Sequence, residues 1–433
     1  MCKEAAAAAP KEPGAHTAPL QITAKGAYRR DMSDLAYDPW STAFVADPYP
    51  VFERLRAERP VFFHEPTGQW VISRYEDVDA LLRDRRLGRS YLHTASHEEF
   101  GQEPEPDFLQ PFWDLIRAGM LDVEPPTHTR LRRLVSKAFT ARMVEGLRPM
   151  IRRLAEELAS GLADRGGGDL LAEIAEPLPV NVIAEMLGVP AEDRHLLRPW
   201  SADICGMYEL NPPEDVQRTA VRAAVEFSDY LRKLARARRA EPGDDLITAL
   251  AHVVDEGDRL TEDELIGTCV LLLNAGHEAT VNATGNGWWT LFRNPGQLER
   301  LRSAPSLVPT AVEELLRYDT PAPMFERWVL EDIRVAGVDI PRGAEVALQF
   351  ASANRDPEVF ADPNRLDLGR DPNPHITFGL GIHYCLGAPL ARIELTESFG
   401  ALLRAAPALH LTTEPEWKSG YVLRGLTALQ VER

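Results

Sequence analysis

The sequence predicts an α+β fold that is mainly α, with long helices and a small β region. Three observations indicate this class. Helical periodicity dominates from about residue 125 to residue 317. Strand-like runs cluster near the two ends of the chain, at 61–73, 329–348 and 409–431. There is no internal repeat, and helices segregated from strands are typical of α+β proteins rather than of alternating α/β folds.

The N-terminal elements are a short helix and a hairpin. Asp47-Pro48-Tyr49-Pro50 opens an amphipathic helix that ends at about Arg59. Two strand-like runs follow, Val61–His64 and Gln69–Ser73, and Pro66-Thr67-Gly68 between them predicts the turn of a hairpin.

Two later helices have clear boundaries. Thr261 to about Arg293 predicts one long helix, because Thr261-Glu262-Asp263-Glu264 forms a capping-box-like start. Leu386 to about Leu403 predicts another, with Pro389 tolerated in its first turn. Breaks between the other helices are expected where Gly, Pro and Asn cluster, at residues 166–168, 188–190, 211–213 and 242–243.

Composition limits the classes of function. Hydrophobic residues make up 44% and charged residues 26% of the chain, which excludes a disordered protein. Lys and Arg number 48 against 66 Asp and Glu, and the net charge of −18 argues against a general nucleic-acid or anionic-membrane binder. No stretch approaches the ~18–20 uninterrupted apolar residues of a membrane span. Residues 1–30, rich in Ala, Pro and Lys without an apolar core, predict a flexible leader on a cytoplasmic protein.

The charge is distributed unevenly. From Pro126 to Arg153 there are eight Lys or Arg against Glu145 alone, a net of +7. From Pro242 to Glu264 there are eight Asp or Glu against Arg259, a net of −7. Either run is equally consistent with a solvated helix face, but a basic island in an acidic chain also indicates an acidic partner.

Cys385 is the cysteine with the most distinctive surroundings. It directly precedes the last predicted helix, where backbone N–H groups and the helix dipole favour a thiolate. Gly379, Gly381 and Gly387 permit tight turns and a close approach to a flat, bulky group. These features suit a soft metal or a nucleophile, although His383 is poorly placed as a nucleophile's base, and an inert buried cysteine is the alternative. No metal-knuckle spacing or disulfide scaffold links the four cysteines, Cys2, Cys205, Cys269 and Cys385.

The segment Phe378-Gly379-Leu380-Gly381-Ile382-His383-Tyr384-Cys385-Leu386-Gly387 resembles the haem-binding signature of the cytochrome P-450 family, Phe-Gly-x-Gly-x-His-x-Cys-x-Gly, at every specified position. Glu314-Leu315-Leu316-Arg317 is similar to the family's Glu-x-x-Arg motif, and Arg370 matches the third member of its Glu-Arg-Arg structural triad. The resemblance extends from about Asp47 to the C-terminus.

This resemblance implies a cytochrome P-450 fold with a long central helix over the haem. It implies a single domain over residues 31–433, instead of the two or three domains that a length of 433 residues favours. The activity expected from the resemblance is that of a soluble bacterial-type haem-thiolate monooxygenase, an oxidoreductase acting on paired donors with incorporation of oxygen.

The resemblance also assigns residues to the cofactor, haem b (iron protoporphyrin IX). Cys385 would be the metal ligand, and thiolate ligation favours O–O cleavage. His128 and Arg132, at i and i+4 on one helix face, would contact the propionates. The full set of expected haem contacts is His128, Arg132, Arg327, His383, Phe378, Gly379 and Gly387.

The middle of the long helix carries an unusual polar segment, Asn274-Ala275-Gly276-His277-Glu278-Ala279-Thr280. Gly276 permits a planar group to approach the backbone or the helix to open locally, and the Glu278 carboxylate is suited to relaying protons through water. The segment resembles the family's oxygen-activation motif, Ala-Gly-x-(Glu/Asp)-Thr, but Ala279 occupies the threonine position and the hydroxyl follows at Thr280.

One helical step rotates a side chain by about 100°, so Thr280 does not simply replace the missing threonine. We hypothesise that protons are delivered through water or a substrate hydroxyl with the help of Glu278. A helix distortion that brings Thr280 into reach is the alternative, and another is that hydroxylation is not the native reaction.

The family resemblance places five segments around the substrate: residues 88–121, 196–210, the long helix, 321–325 and 421–426. Their large side chains suit a bulky apolar ligand, although each alone is equally consistent with helix core. These side chains are Phe108, Phe112, Trp113, Trp200, Met207 and Tyr208. Since the chain has no flavin motif, we expect its electrons to come from a ferredoxin that is reduced by an NAD(P)H-dependent ferredoxin reductase. The ferredoxin would dock on the +7 run, the basic segment at residues 126–153.

Three functions are compatible with these residues. The leading one is insertion of one oxygen atom from O2 into a bulky, largely apolar small molecule of secondary metabolism. Oxidative coupling or cyclisation by the same haem is the second, and Ala279 makes it more credible. A non-turnover haem-binding recruitment protein is the third, and the intact haem signature and Glu278 argue against it. Neither a nucleic acid nor a membrane is an expected partner.

Overall fold

A computed structural model describes residues 36–433 of the chain, and the predicted leader over residues 1–30 lies outside this part. The α-helices are α1 Thr42–Ala46, α2 Tyr49–Glu58, α3 Tyr75–Arg83, α4 His97–Phe100, α5 Gln110–Ala118, α6 Thr127–Ala138, α7 Ala141–Asp164, α8 Pro177–Leu187, α9 Leu197–Cys205, α10 Glu214–Ala240, α11 Leu246–His252, α12 Glu262–Arg293, α13 Pro295–Ser303, α14 Val308–Tyr318, α15 Phe350–Ala353 and α16 Ala388–Ala405. The strands are β1 Val61–His64, β2 Gln69–Ile72, β3 Leu87–Gly88, β4 Gly167–Asp169, β5 Phe325–Val329, β6 Ile333–Val335, β7 Val338–Ile340, β8 Glu345–Leu348, β9 His410–Leu411 and β10 Gln430–Glu432. Helix therefore predominates over strand, as the sequence predicted.

The strands of the described region form three small sheets. The largest has the order β1-β2-β8-β5-β3, in which only β2 and β8 run parallel. The hairpin β1–β2 pairs Val61 with Ile72 and His64 with Gln69, which confirms the predicted hairpin. The other sheets have the orders β4-β10-β9 and β6-β7.

One strand lies where the sequence predicted only a break between helices. Gly167 and Gly168 of β4 have φ angles of 139° and 150°, which residues with a side chain rarely adopt, and Gly168 pairs with Val431 of β10. A Cβ atom on Gly167 would clash with the carbonyl oxygen of Val431. The strands are therefore not confined to the chain ends, because the glycines allow a C-terminal strand to approach closely.

The two helices with clear sequence boundaries form where they were expected. The α12 capping box is complete, since the Glu264 N–H donates to Thr261 Oγ1 (3.2 Å) and the Thr261 N–H donates to Glu264 Oε2 (2.8 Å). Helix α16 has Pro389 in its first turn and packs against α7, α12 and α14. Most of α12 is buried, so it forms the centre of the helical core. Among the described helices, none combines the length and apolar character needed to cross a bilayer.

A buried ion-pair network joins α14 to the segment that leads to Cys385. The Glu314 carboxylate accepts hydrogen bonds from Arg317 Nε (2.7 Å) and Arg370 Nε (3.0 Å). Glu314 and Arg317 have no exposed side-chain surface. Arg317 also donates to the carbonyl of Asn354 (2.8 Å). Breaking a buried pair of this kind costs about 3–5 kcal/mol, since the remaining charge stays desolvated. The three residues of the expected structural triad are thus in contact.

The basic run and the acidic run pair with each other. Arg130 of α6 forms an ion pair with Glu264, while Arg133 and Lys137 form ion pairs with Asp255. These cations are still partly solvated, since the side chains of Arg133 and Lys137 are 46% and 49% exposed, so a solvated helix face and an acidic partner both apply to them. Their acidic partner belongs to the same chain, and the local sequence could not indicate this because the contacts are distant in sequence.

Glu394 of α16 carries a buried carboxyl group that is incompletely hydrogen-bonded within the described residues. Its side chain is 2% exposed, and Oε1 has no hydrogen-bond partner within residues 36–433. Burial raises the pKa of Glu394 to about 8.

We expect Glu394→Gln to stabilise the protein by about 1–3 kcal/mol at pH 8 and by much less at pH 5. The unfolded carboxyl ionises near pH ~4.3, whereas the folded one stays neutral up to about pH 8. Stability associated with the neutral carboxyl is therefore complete below about pH 4 and declines as the pH rises towards 8. Urea unfolding at the two pH values measures the difference. The exposed Glu157 of α7 provides the control variant, Glu157→Gln, and an equal gain at both pH values in Glu394→Gln would contradict the prediction.

Candidate active site

The loop that carries Cys385 is closed by its own backbone. The Cys385 N–H donates to the Phe378 carbonyl (2.9 Å), so the two residues lie side by side. Gly381 has a φ of 70°, and a Cβ atom there would clash with the carbonyl oxygen of Leu82 at the end of α3. Gly379 also has a positive φ, of 64°, whereas Gly387 has an ordinary helical conformation. Two of the three predicted glycines are therefore required by the backbone.

The pKa of the Cys385 thiol depends on burial and on nearby hydrogen-bond donors and charges, which act in opposite directions. Burial raises the pKa of the Cys385 thiol, while the backbone N–H groups of Gly387 and Ala388 and the charge of Arg132 act in the opposite direction. Burial outweighs them, so the predicted helix N-terminus is present but does not alone produce a thiolate. A metal ion bound to the sulfur would deprotonate it outright and would supply the stabilisation of the thiolate that the helix N-terminus does not provide alone.

Two buried histidines meet beside the loop. The rings of His128 and His383 have centroids 4.4 Å apart, and His383 Nε2 lies 3.9 Å from Glu124 Oε1. Burial lowers the pKa of His128 to about 4 and also lowers the pKa of His383, so both imidazoles are neutral at pH 7. Both nitrogens of His128 and Nε2 of His383 are buried and have no hydrogen-bond partner in the part of the chain that the structure describes.

Arg327 and Arg89 lie against one aromatic ring. The Cζ atoms of Arg327 and Arg89 are 5.1 Å and 4.6 Å from the ring centroid of Phe325. Burial, reinforced by the charge of Arg89, lowers the pKa of Arg327 to about 9, so Arg327 is still charged at pH 7. Arg89 forms an ion pair with Asp122 (2.7 Å). The unsatisfied imidazoles and these guanidinium groups make the region complementary to carboxylate groups, of which Glu124 is already one.

Arg132 is placed differently from the other predicted propionate contacts. Its Nη2 donates to the carbonyl of Tyr384 (2.7 Å), directly before Cys385. Arg132 therefore binds the cysteine loop itself, while His128, one turn earlier on α6, contacts His383.

Sequence reasoning missed Arg89, Asp122 and Glu124. Glu124 precedes His128 by four residues, and the His128 N–H donates to the Glu124 carbonyl (3.0 Å), so the spacing carried a usable signal. Arg89 carried no such signal, because its partners come from other parts of the chain.

One side of α12 stays accessible although the helix is buried before and after it. Ala275 is exposed, and Leu271 and Ala279, one turn to either side, are partly exposed. Thr280 is buried, with 5% exposure, so it lies off this stripe. The helix is continuous from residue 262 to residue 293, and a distortion that brings Thr280 onto the stripe is absent there. At Gly276 the close neighbour is Ile183 of α8, so this glycine allows two helices to pack closely.

Glu278 is held by a lysine from the C-terminal region. Lys418 Nζ lies 3.1 Å from Glu278 Oε2 and 3.3 Å from Asn282 Oδ1. The Lys418 side chain is 34% exposed and the Glu278 side chain 15% exposed, so the lysine connects solvent with a largely buried carboxylate. No local pattern around Lys418 predicted this contact.

The structure brings together all five segments expected around the substrate, since α12 packs against α5 of the 88–121 segment and α9 of the 196–210 segment, and the Arg424 N–H donates to the Pro321 carbonyl (2.9 Å). The Glu209 carboxylate, directly after Tyr208, accepts the backbone N–H groups of Tyr421, Val422 and Leu423 at 2.8–3.0 Å. Arg89 of the 88–121 segment lies over Phe325 of the 321–325 segment.

Some of the large side chains in these segments pack in the helical core. Trp200 stacks on Phe227 of α10, with ring centroids 5.2 Å apart, and Phe112 is 1% exposed. Trp200 and Phe112 are therefore part of the helix core, which was the alternative to a place beside the substrate. Tyr208, in contrast, lies next to Asn274 of α12.

The residues present fit a haem. The soft sulfur of Cys385 suits iron, and the unsatisfied nitrogens of His128 and His383 together with Arg327 suit two carboxylates. Fold and site together define a haem-thiolate protein.

Comparison with known proteins supports the assignment to the haem-thiolate proteins. Residues 90–405 match the family "Cytochrome P450". The chain is 38% identical over 410 residues to the polyketide biosynthesis cytochrome P450 PksS of Bacillus subtilis strain 168, covering 92% of this chain and 99% of that protein. It is 39% identical over 398 residues to the cytochrome P450 monooxygenase PikC of Streptomyces venezuelae, covering 90% and 91% of the two chains. The crystal structure of P450BioI in complex with hexadec-9Z-enoic acid ligated acyl carrier protein is similar with a TM-score of 0.84 and 35% identity, over 91% of this chain and all of that one.

The chain belongs to the cytochrome P450 family. It is an oxidoreductase of the P450 monooxygenase type, and its cofactor is iron protoporphyrin IX. This confirms the fold, the enzyme class and the cofactor that the sequence motifs predicted. The individual haem contacts stay predictions.

We expect Arg327→Ala to release haem about tenfold to a hundredfold faster, since a charged hydrogen bond is worth about 1.5–3 kcal/mol. Transfer of haem to apomyoglobin, followed at the Soret band, measures the rate. Arg334→Ala provides the control, because Arg334 is exposed on β6 and pairs with the exposed Asp339. Equal transfer rates in the two variants would exclude Arg327 as a propionate contact.

Proposed function

We propose that the enzyme inserts one oxygen atom from O2 into a bulky, largely apolar small molecule of secondary metabolism. The other oxygen atom leaves as water, and the reaction consumes two electrons and two protons. The observation that carries the proposal is the combination of the Cys385 loop with the accessible, apolar stripe Leu271–Ala275–Ala279 on α12. When bound through a thiolate, the haem supplies the oxygen chemistry, because this ligand favours O–O cleavage.

An apolar substrate is supported by the relatives and by the stripe. PksS is named for polyketide biosynthesis, and P450BioI was solved with a carrier-bound fatty acid. Small apolar side chains at Ala275 and Ala279 leave room for a bulky molecule beside α12. We propose a polyketide-like substrate on this basis.

Proton delivery is assigned to Glu278 and Lys418. The ammonium group of Lys418 reaches solvent, and its contact with the Glu278 carboxylate (3.1 Å) provides a route for protons from the surface to the interior. From Glu278, water or a substrate hydroxyl completes the path, since Ala279 supplies no hydroxyl and Thr280 is buried away from the stripe.

Electrons are assigned to a ferredoxin and its NAD(P)H-dependent reductase, in the cytoplasm. The docking surface proposed for the +7 run is narrower than the sequence indicated, because Arg130, Arg133 and Lys137 are already neutralised within the chain. Arg142 and Arg153 are exposed and form no ion pair within the described residues, so they are the members of the run that are free to bind an acidic partner.

A second function, oxidative coupling or cyclisation without oxygen insertion, is favoured by one observation. Ala279 lies on the accessible stripe where a threonine hydroxyl would otherwise assist protonation. Coupling reactions have no need of that hydroxyl if oxygen is not transferred to the product.

The proposed function predicts product formation from macrolactones in the presence of a surrogate ferredoxin, its reductase, NADPH and isotopically labelled O2. A shift of the Soret band in a macrolactone panel first selects a substrate, and mass spectrometry then detects one labelled oxygen atom per product. Cys385→Ser should abolish both the red-shifted band of the reduced carbon monoxide complex and the product.

The possible outcomes separate the three functions. Oxidised product without label would favour coupling. Tight binding without any product from any member of the panel would favour a non-turnover haem protein.

The assignment of proton delivery predicts that Ala279→Thr leaves the ratio of product to NADPH consumed unchanged or lower. If the native path runs through Glu278 and the substrate, an added hydroxyl gives no advantage, whereas Glu278→Gln should lower this ratio about tenfold or more. Ala275→Thr, one turn earlier on the same stripe, controls for the added bulk. A higher ratio in Ala279→Thr alone would show that the alanine is merely a defect, and the assignment would be abandoned.

A further inference from the structure

Glu313 neighbours Glu314 on α14, but the two carboxylates hold different partners. Glu314 belongs to the buried triad. Glu313 binds Arg392 of α16 through two hydrogen bonds, from Nε to Oε1 (2.7 Å) and from Nη2 to Oε2 (2.8 Å). His375 Nε2 lies 3.0 Å from Glu313 Oε2. A bidentate pair with a third partner is the geometry in which a partly exposed ion pair contributes most.

Arg392 also contacts two residues of the cysteine loop that precede Cys385. Its Cζ lies 4.5 Å from the ring centroid of Phe378, and its Nη1 lies 3.4 Å from the Tyr384 hydroxyl. Phe378 accepts the Cys385 N–H, and Tyr384 directly precedes Cys385. The guanidinium group therefore adjoins the residue that accepts the Cys385 N–H and the residue that directly precedes Cys385.

Both members of the pair are charged at neutral pH. Burial by itself would raise the pKa of Glu313, but hydrogen bonds from His375 and Arg392 outweigh it and lower that pKa to about 2. The hydrogen bond to Glu313 raises the pKa of Arg392. The side chains of Glu313 and Arg392 are 28% and 36% exposed, so water screens the pair only in part.

We propose that Glu313 and Arg392 are positioning residues that fix the Cys385 loop and, through their opposite charges, set how readily the metal ligated by Cys385 accepts an electron. The inference rests on ligation by Cys385, which the carbon monoxide spectrum tests separately. It does not depend on substrate or on turnover.

The signs of the two charges make the inference testable. Reduction adds negative charge at the metal, so a nearby cation favours it and a nearby anion opposes it. Removing Glu313 leaves Arg392 uncompensated and eases reduction. Removing Arg392 leaves the Glu313 carboxylate with His375 as its remaining partner, so its negative charge is less compensated and hinders reduction. A pair with only a structural role predicts no such opposition, because either loss disturbs the same contacts.

The experiment is an equilibrium reduction titration of the holoenzyme, followed in the visible spectrum. We expect the equilibrium constant for reduction to rise about threefold to tenfold in Glu313→Gln and to fall by a similar factor in Arg392→Gln, and a tenfold change equals about 59 mV for one electron. The double variant Glu313→Gln/Arg392→Gln should return to within about twofold of the original protein.

Two further variants keep the outcome decisive. Arg392→Lys retains the charge and should stay within about twofold of the original protein, even if Arg392→Gln loses haem. Arg404 lies on α16, as Arg392 does, and forms an exposed ion pair of 3.0 Å with Glu156 of α7, so Arg404→Gln should change nothing. Shifts of the same sign in both single variants, or shifts no larger than that of Arg404→Gln, would overturn the proposal.

Discussion

The buried ion pair between Glu314 and Arg317 is the constraint on which the rest of the site depends. Two charges without solvent exposure are stable only if every partner is in place, so the pair fixes the segments that it binds. Arg370 and the carbonyl of Asn354 belong to those segments. Asn354 in turn accepts the Ile376 N–H (2.8 Å), two residues before Phe378. The path of the chain into the cysteine loop is thus determined by polar contacts that tolerate little displacement.

The region of the expected haem contacts is, by contrast, incompletely hydrogen-bonded within the described residues. Its imidazoles are buried without hydrogen-bond partners, and two arginines share one aromatic ring. Each unsatisfied group costs about 1–3 kcal/mol, so such a cluster persists only where the surrounding structure is strongly determined. The triad fixes the path of the chain into the cysteine loop, whereas the haem carboxylates would satisfy the imidazoles. Structural and candidate functional polar groups therefore differ in how completely they are paired.

Charge in this protein is balanced over short distances within the chain. The basic face of α6 is neutralised by acids from the segment before α12 and from the first turn of α12, and the adjacent residues Glu313 and Glu314 serve two separate networks. The net charge of −18 is therefore a poor guide to any local surface. Charge is also balanced locally on α12. There Lys418 from the C-terminal region pairs with Glu278, while the stripe through Ala275 and Ala279 is apolar.

The sequence by itself determined the family, the cofactor and the main helices, and it predicted Cys385 as the metal ligand. These features depend on contiguous residues, such as the signature around Cys385 and the capping box at Thr261, whose meaning is local. The tertiary structure decided which charges face each other. The pairing of the two charged runs, the strand at Gly167 and the contacts of Lys418 with Glu278 and of Arg89 with Asp122 and Phe325 all join residues that are distant in sequence. No periodicity or spacing encodes such contacts, because they arise only when packed helices and strands bring separate segments within hydrogen-bonding distance.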